Sequence, residues 1–321
     1  MRQSVKNRRG TALRLTSLAA ALALLAAAAS ASAERILFIG NSFTYGQGSP
    51  VQFYRSQTVT DLNGSGIGGV PALFKSFSVQ MGLPFDVYLE TEPGVGLDWH
   101  LARRKELIAK ESWDRVVLQS YSTLDIAHPG DPSQLRDSVR EMAAVLRTKN
   151  PQVAIELEAT WSRADQTYLK GGAWWGKPIE AMAKDVRTGY DAAFAAVPGL
   201  HAVAPVGEAW LRAMQAGLAI SDPYQAAPPG RVNLWTFDNY HASVYGYYLS
   251  ALVVFGSVTG RDPRLLGTAE CSGYELGLSR EQVRALQSVA YEQLAQDGRI
   301  QPGRAGEQPN NARPLRCDAP R

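Results

Sequence analysis

"ERILFIGNSFTYGQG", residues 34–48, decides the fold: an apolar run from Ile36 to Ile39 passes without a break into Gly40-Asn41-Ser42. A short apolar run closed by turn residues reads as a strand buried on both faces. Four later runs share that character: "FDVYLE" from 85, "RVVLQS" from 115, "VAIELEA" from 153 and "HAVAPVG" from 201. Between them lie longer amphipathic stretches. Asp131 and Pro132 can act as N-cap and first helical residue ahead of Leu135, Val139, Met142 and Leu146, which repeat at helical spacing. Ser279 and Gln282 form a capping-box pattern ahead of Val283, Leu286, Val289 and Leu294, with Gly298 just beyond the end. Strands separated by helices predict an α/β domain over 34–300, its parallel sheet covered on both faces. Ligands of such sheets bind beyond the carboxyl ends of the strands, so the residues following each run are the ones to weigh.

The segment before Glu34 reads differently. Arg2, Lys6, Arg8, Arg9 and Arg14 precede an apolar run from Leu18 to Ala29, and Ala31-Ser32-Ala33 follows. A basic start, a short apolar core and a small-x-small end are the parts of a secretory signal peptide, and the run is shorter than the ~20 residues a membrane span requires. Residues 1–33 are therefore expected to be a leader cleaved after Ala33. The remainder would be periplasmic or extracellular, without stable membrane insertion. The 33 Lys and Arg of the whole chain stand against 30 Asp and Glu. All five basic residues above lie in the leader, so its loss turns an apparent basic excess into a slight acidic one. Nothing global then points to nucleic acid or an anionic membrane. The two cysteines, Cys271 and Cys317, would enter an oxidising compartment, where a disulfide is the default. It would tether the polar tail 301–321.

Ser42 lies two residues past the end of the first strand, where a turn lifts its side chain to the ligand-binding end of the sheet. In "FDNYHASVYGYYLSALVVFG", residues 237–256, Asp238 and His241 stand three apart, one helical turn, just before an apolar helix. A serine hydroxyl needs an imidazole to take its proton, and the imidazole needs a carboxylate to fix its tautomer. Asp-x-x-His supplies both.

These residues resemble the SGNH (GDSL-like) hydrolases. Gly40-Asn41-Ser42 matches the family's first block and Asp238-x-x-His241 its last. The resemblance implies a flavodoxin-like three-layer α/β/α sandwich with a mainly parallel five-stranded sheet. It implies Ser42 as nucleophile, His241 as general base and then acid, and Asp238 as its orienting partner. It also implies an oxyanion hole made by the Ser42 N–H, a glycine after the second strand and an asparagine after the third. Gly94 matches the glycine, with Gly96 as runner-up. No asparagine follows the third strand. "LQSYS", 118–122, resembles a branch with Leu-Gln-x-x-Ser there, which makes Gln119 the substitute donor and Ser122 the matching serine. The other reading of Gln119 is a glutamine paired with backbone.

Other patterns carry less. "GSGIGG", 64–69, satisfies a dinucleotide fingerprint in letters, but no apolar strand precedes it. No Gly-x-Ser-x-Gly occurs, nor a metal-spaced His or Cys pair, and His100, His128 and His201 are scattered. No metal or organic cofactor is expected. Two connections exceed the usual 2 to 6 residues: 43–69 after Ser42, with no convincing regular element, and 161–177 after the fourth strand. Their aromatics either pack the loops or line the cleft. On the second reading Trp161, Trp174 and Trp175, with Asn41, bind substrate, the two adjacent tryptophans forming an exposed platform and Arg163, Asp165 and Lys177 taking sugar hydroxyls. The expected activity is hydrolysis of a small-molecule or polysaccharide ester, first a carbohydrate ester such as an O-acetyl group. The alternatives are a lipid or lysophospholipid esterase and a non-catalytic carbohydrate-binding scaffold. Oligomeric state is left open.

Overall fold

The computed structural model describes residues 32–300. Cys317, the tail from 301, and the expected leader apart from Ser32 and Ala33 lie outside the described residues. Among those described, one sheet has six strands: β1 Glu34–Gly40, β2 Thr60–Asp61, β3 Phe85–Thr91, β4 Arg115–Leu118, β5 Ala154–Ala159 and β6 Ala202–Pro205. Their order is β2-β3-β1-β4-β5-β6, and every pairing is parallel.

The five strands read from the sequence are all present, and the sheet is α/β as expected. The sixth, β2, corrects the strand count. It is a two-residue edge strand inside the connection expected to lack regular structure, and it is too short for any apolar period to mark it. That connection also holds a helical turn, Ser42–Tyr45, and two short 3₁₀ segments, Pro50–Phe53 and Ser56–Thr58.

Alternation along the strands assigns the two faces. Ile36, Phe38, Val87, Leu89 and Val117 pack with the helices Gly69–Gln80, Val244–Thr259 and Arg280–Gln296. Leu37, Ile39, Val116, Leu118, Ile155 and Leu157 pack with Ser133–Arg147 and Ile179–Ala196 on the other side. Both faces are covered, so the central strands β1 and β4 carry continuous apolar runs, Ile36–Ile39 and Val116–Leu118, rather than alternating. The helix Ser133–Arg147 buries Leu135, Val139, Met142 and Leu146, the four residues its periodicity singles out, but begins one residue later than expected, with Pro132 as N-cap. The Asp131 carboxylate accepts from the Ser133 N–H at 2.8 Å. The capping box of Ser279 and Gln282 is formed in full. Cys271 is buried as the first residue of the helix Cys271–Glu275. No helix among the described residues is long and apolar enough to cross a membrane.

β1 pairs with β3 on one side and β4 on the other, so the chain connections diverge at its carboxyl end. That is the switch point where open parallel sheets form their crevice, and Ser42 stands there.

Candidate active site

The turn at the end of β1 accepts only glycine at position 40. A Cβ there would fall inside the Thr44 hydroxyl and 2.7 Å from Gln119 Oε1. Asn41 then locks the turn. Its N–H donates to Gln119 Oε1 at 2.8 Å, its Oδ1 accepts from the Phe43 N–H at 3.1 Å, and its Nδ2 donates to the carbonyls of Val95 (2.8 Å) and Ser120 (3.2 Å). One side chain thus caps the helical turn that opens with Ser42 and ties the loops after β3 and β4 to it. Ser42 is 4% exposed. Its carbonyl accepts from the Tyr247 hydroxyl at 3.0 Å, which anchors the turn to the helix following His241.

Asp238 and His241 stand just before the apolar helix, as read from the sequence. They form a tight turn in which Asn239 has φ of +53°, and the helix starts only at Val244, capped by Ser243. Asp238 organises the turn itself. Its Oδ1 accepts from the N–H groups of Tyr240 (3.0 Å) and His241 (2.9 Å), while its Oδ2 lies 2.6 Å from His241 Nδ1. Burial alone would raise the Asp238 carboxyl. The hydrogen bonds from the His241 ring and the two N–H groups outweigh it and hold the acid below the usual carboxylate range. An ionised Asp238 fixes the proton of His241 on Nδ1. That leaves Nε2 as a lone pair, and this buried nitrogen has no protein partner.

Serine and histidine segments meet. The Phe43 ring lies 5.8 Å from the His241 ring, and the Thr236 hydroxyl donates to the Gly48 carbonyl at 3.2 Å. Behind both runs an aromatic column. Phe43 stacks on Trp161 with centroids 4.2 Å apart, and Trp161 stacks on Trp210 at 4.6 Å with only 3° between planes. The Trp161 indole N–H donates to the Tyr240 carbonyl at 3.2 Å.

A cavity of about 280 Å³ opens beside this turn, with Asn41, Gly94, Tyr121, Ser122, Arg163 and Tyr240 among its walls. Gly94 has φ of +69° and open space where a Cβ would stand. Gly96 is a packing glycine, because a side chain there would enter the Tyr121 ring. Gln119 is paired within the turn. Its side chain is buried, its Oε1 accepts from Asn41 N–H and from the Thr44 hydroxyl (3.1 Å), and its Nε2 faces the Ser120 carbonyl. The carbonyl end is spent under the Ser42 turn, and one hydrogen of the Nε2 amide faces backbone.

The aromatic platform is corrected. Trp161 is fully buried in the column just described. Trp174 is 2% exposed and donates its indole N–H to Asp185 Oδ2 at 2.8 Å. Only Trp175, 56% exposed, stands in solvent. The glycines of that loop fold it back on the helix Ala164–Tyr168, with Trp174 N–H on the Gln166 carbonyl and Gly176 N–H on that of Thr167. Arg163, expected to take sugar hydroxyls, lines the cavity, and Tyr240, Tyr121 and Gln166 are cavity residues that motif reading passed over. Their one signal was position, since each follows a strand or flanks a motif residue. Of the remaining histidines, His100 is fully buried and His128 is exposed. Among the described residues no group of three or more His, Cys, Asp and Glu side chains is placed to hold a metal ion.

No protein-family model matches the chain, and neither does any curated relative. Among solved structures it is similar to a DUF4886 family protein from Bacteroides uniformis, with 16% identity and a TM-score of 0.58 over 84% of this chain and 98% of that one. It is also similar to a putative SGNH hydrolase from Slackia heliotrinireducens, with 21% identity and a TM-score of 0.46 over 71% and 100% of the two chains. An acetylxylan esterase from Geobacillus stearothermophilus gives 15% identity and a TM-score of 0.46 over 78% and 96%. The fold is a parallel α/β sheet of the kind found in the DUF4886 family protein. On this scaffold Gly40-Asn41-Ser42 closes the central strand, and Asp238-x-x-His241 precedes the helix Val244–Thr259, which packs across the sheet.

Proposed function

We propose that the protein is a serine ester hydrolase whose triad is Ser42, His241 and Asp238, acting on small or carbohydrate esters. The observation that carries this reading is the buried, partnerless Nε2 of His241, held as a base by an ionised Asp238 beside the Ser42 turn. His241 Nε2 takes the Ser42 Oγ proton as the oxygen bonds to the ester carbonyl carbon. The negative oxygen that develops is met by N–H groups at the nucleophile turn and at Gly94. Collapse breaks the carbon–oxygen bond to the alcohol, which leaves with the proton from His241. Water, deprotonated by the same nitrogen, then attacks the acyl-serine and releases the acid with Ser42 restored.

The carbohydrate preference is supported by the cavity wall, where Ser122, Thr123, Arg163 and Gln166 offer hydrogen-bonding groups beside Tyr121 and Tyr240. A second reading, a lipid ester, is favoured by Phe237 and Ile126, which are 86% and 63% exposed, one next to Asp238 and the other on the cavity rim. Export remains part of the proposal, on the three-part pattern of residues 1–33; protein recovered from outside the cytoplasm should begin at Glu34. A fluorophosphonate tests the catalytic reading. It should label Ser42 in the parent and fail to label His241→Ala, whereas an unlabelled parent would make the chain a binding scaffold. Acetylated xylo-oligosaccharide against a lysophospholipid separates the two substrate classes.

A further inference from the structure

We propose that Arg163 is the specificity-determining residue of the cavity, reading hydroxyl groups of an uncharged sugar, and that Asp165 sets this choice by neutralising it. The proposal rests on the carbohydrate reading above. Arg163 follows β5 and lines the cavity with Tyr240, the neighbour of His241. Its Nε and Nη2 donate to the two oxygens of Asp165 at 3.0 and 2.6 Å, a bidentate pair whose side chains are 16% and 21% exposed. Its guanidinium carbon stands 3.6 Å from the centroid of the Tyr240 ring. The remaining nitrogen, Nη1, reaches only Ser122 Oγ, at a long 3.4 Å.

Two consequences follow from that geometry. A guanidinium clamped at two nitrogens and stacked on a ring has already lost its rotamer freedom, so Nη1 is a preorganised donor that costs little further entropy when a ligand arrives. Its charge, however, is already met by Asp165, so a carboxylate or phosphate entering the cavity gains little from Arg163 and faces the Asp165 oxygens a few ångströms behind it. A fixed donor without net charge suits a hydroxyl. The aromatic faces of Tyr121 and Tyr240 on the same cavity suit the apolar face of a pyranose ring.

The test compares kcat/KM for an acetylated xylo-oligosaccharide (neutral), an acetylated oligogalacturonide (anionic) and p-nitrophenyl acetate. Arg163→Met should lower the ratio of neutral oligosaccharide to p-nitrophenyl acetate about tenfold, mainly through KM, the loss expected for one good hydrogen bond. Arg163→Lys should not restore it, since an ammonium cannot hold the fork to Asp165 and still face the cavity. Asp165→Asn should move the ratio of anionic to neutral substrate several-fold toward the anionic one. Unchanged ratios in Arg163→Met or in Asp165→Asn, in a parent that hydrolyses both sugar esters, would overturn the proposal alone. A parent that turns over p-nitrophenyl acetate but neither sugar ester would overturn the carbohydrate reading and this proposal with it.

Discussion

His100 Nε2 lies 3.1 Å from the carbonyl oxygen of Gly40, the residue that ends β1 two positions before Ser42. A carbonyl can only accept, so Nε2 carries a hydrogen. The opposite ring nitrogen meets the carboxylate of Glu90 on β3, and both side chains are fully buried. Glu90 is held further by Asn63 Nδ2 at 3.3 Å and faces Arg104 Nε at 3.6 Å. An acid, an imidazole and a backbone carbonyl thus brace the strand end on the face opposite the helix Val244–Thr259.

Removing one member of that brace leaves the other polar group buried without its partner. His100→Ala should destabilise the fold by about 3–5 kcal/mol, the range for breaking a buried pair. The double variant with Glu90→Gln should lose less than the two single losses added together. Urea midpoints of the four proteins test this, and additive losses would mean that the two side chains act separately.

Ser42→Ala should abolish turnover while leaving the unfolding transition in place, because the turn is held by Asn41 and by the Ser42 carbonyl rather than by the hydroxyl. His241→Ala should be about as damaging. Triad members act as a unit, so the double variant should fall little below either single one. Steady-state kinetics on p-nitrophenyl acetate decides it.

Gln119→Leu should cost about 1–3 kcal/mol, since the Asn41 N–H and the Thr44 hydroxyl both lose a buried acceptor. If Gln119 acts through the turn, as its contacts indicate, kcat should fall with stability. An oxyanion donor would instead lose kcat with the melting temperature unchanged.

Glu156 and Glu158 on β5 are buried under the helix Val244–Thr259, and none of their four oxygens reaches a donor in hydrogen-bonding geometry. Burial pushes the Glu156 carboxyl up to about 7, opposed by the Ser257 hydroxyl and the charges of Arg299 and Arg115. Burial, with Glu156 beside it, pushes Glu158 up to about 8. The unfolded chain releases both protons near the ordinary 4.5. Between that value and about 7–8 the folded state therefore binds more protons, and its stability falls as pH rises through the window, levelling above it. The Glu156→Gln, Glu158→Gln variant should melt several degrees above the parent at alkaline pH, with a smaller gap at pH ~5. Equal gaps at both pH values would place ionised carboxylates in the folded core.

The parts of this protein legible in sequence are those encoded locally. Ile36–Ile39 shows its strand through burial on both faces, and Gly40 and Ser42 show the turn through residue type. Asp238 and His241 show their pairing through a spacing that a tight turn satisfies as well as a helix does. What escaped depends on contacts between distant segments. Gln119 could be assigned its direction only by knowing that Asn41 and Thr44 lie beneath it. Trp174, flanked by glycines, has the local composition of an exposed loop, and the Asp185 carboxylate that draws its indole inward sits on another helix. The stacking of Arg163 on Tyr240, far along the chain, carries no motif. Thr60 and Asp61 form a strand only because β3 offers an edge.

The column Phe43–Trp161–Trp210 joins the two halves of the candidate site, one end adjoining Ser42 and the middle hydrogen-bonded to the residue before His241. Two near-parallel indoles at 4.6 Å, with Trp235 edge-on to Trp210 at 5.5 Å, couple their electronic transitions and give this cluster a chiroptical signature. The signal vanishes when the rings splay, whether or not the sheet beneath them has melted. Circular dichroism thus follows the packing of these rings without a substrate, and the candidate site carries its own optical gauge.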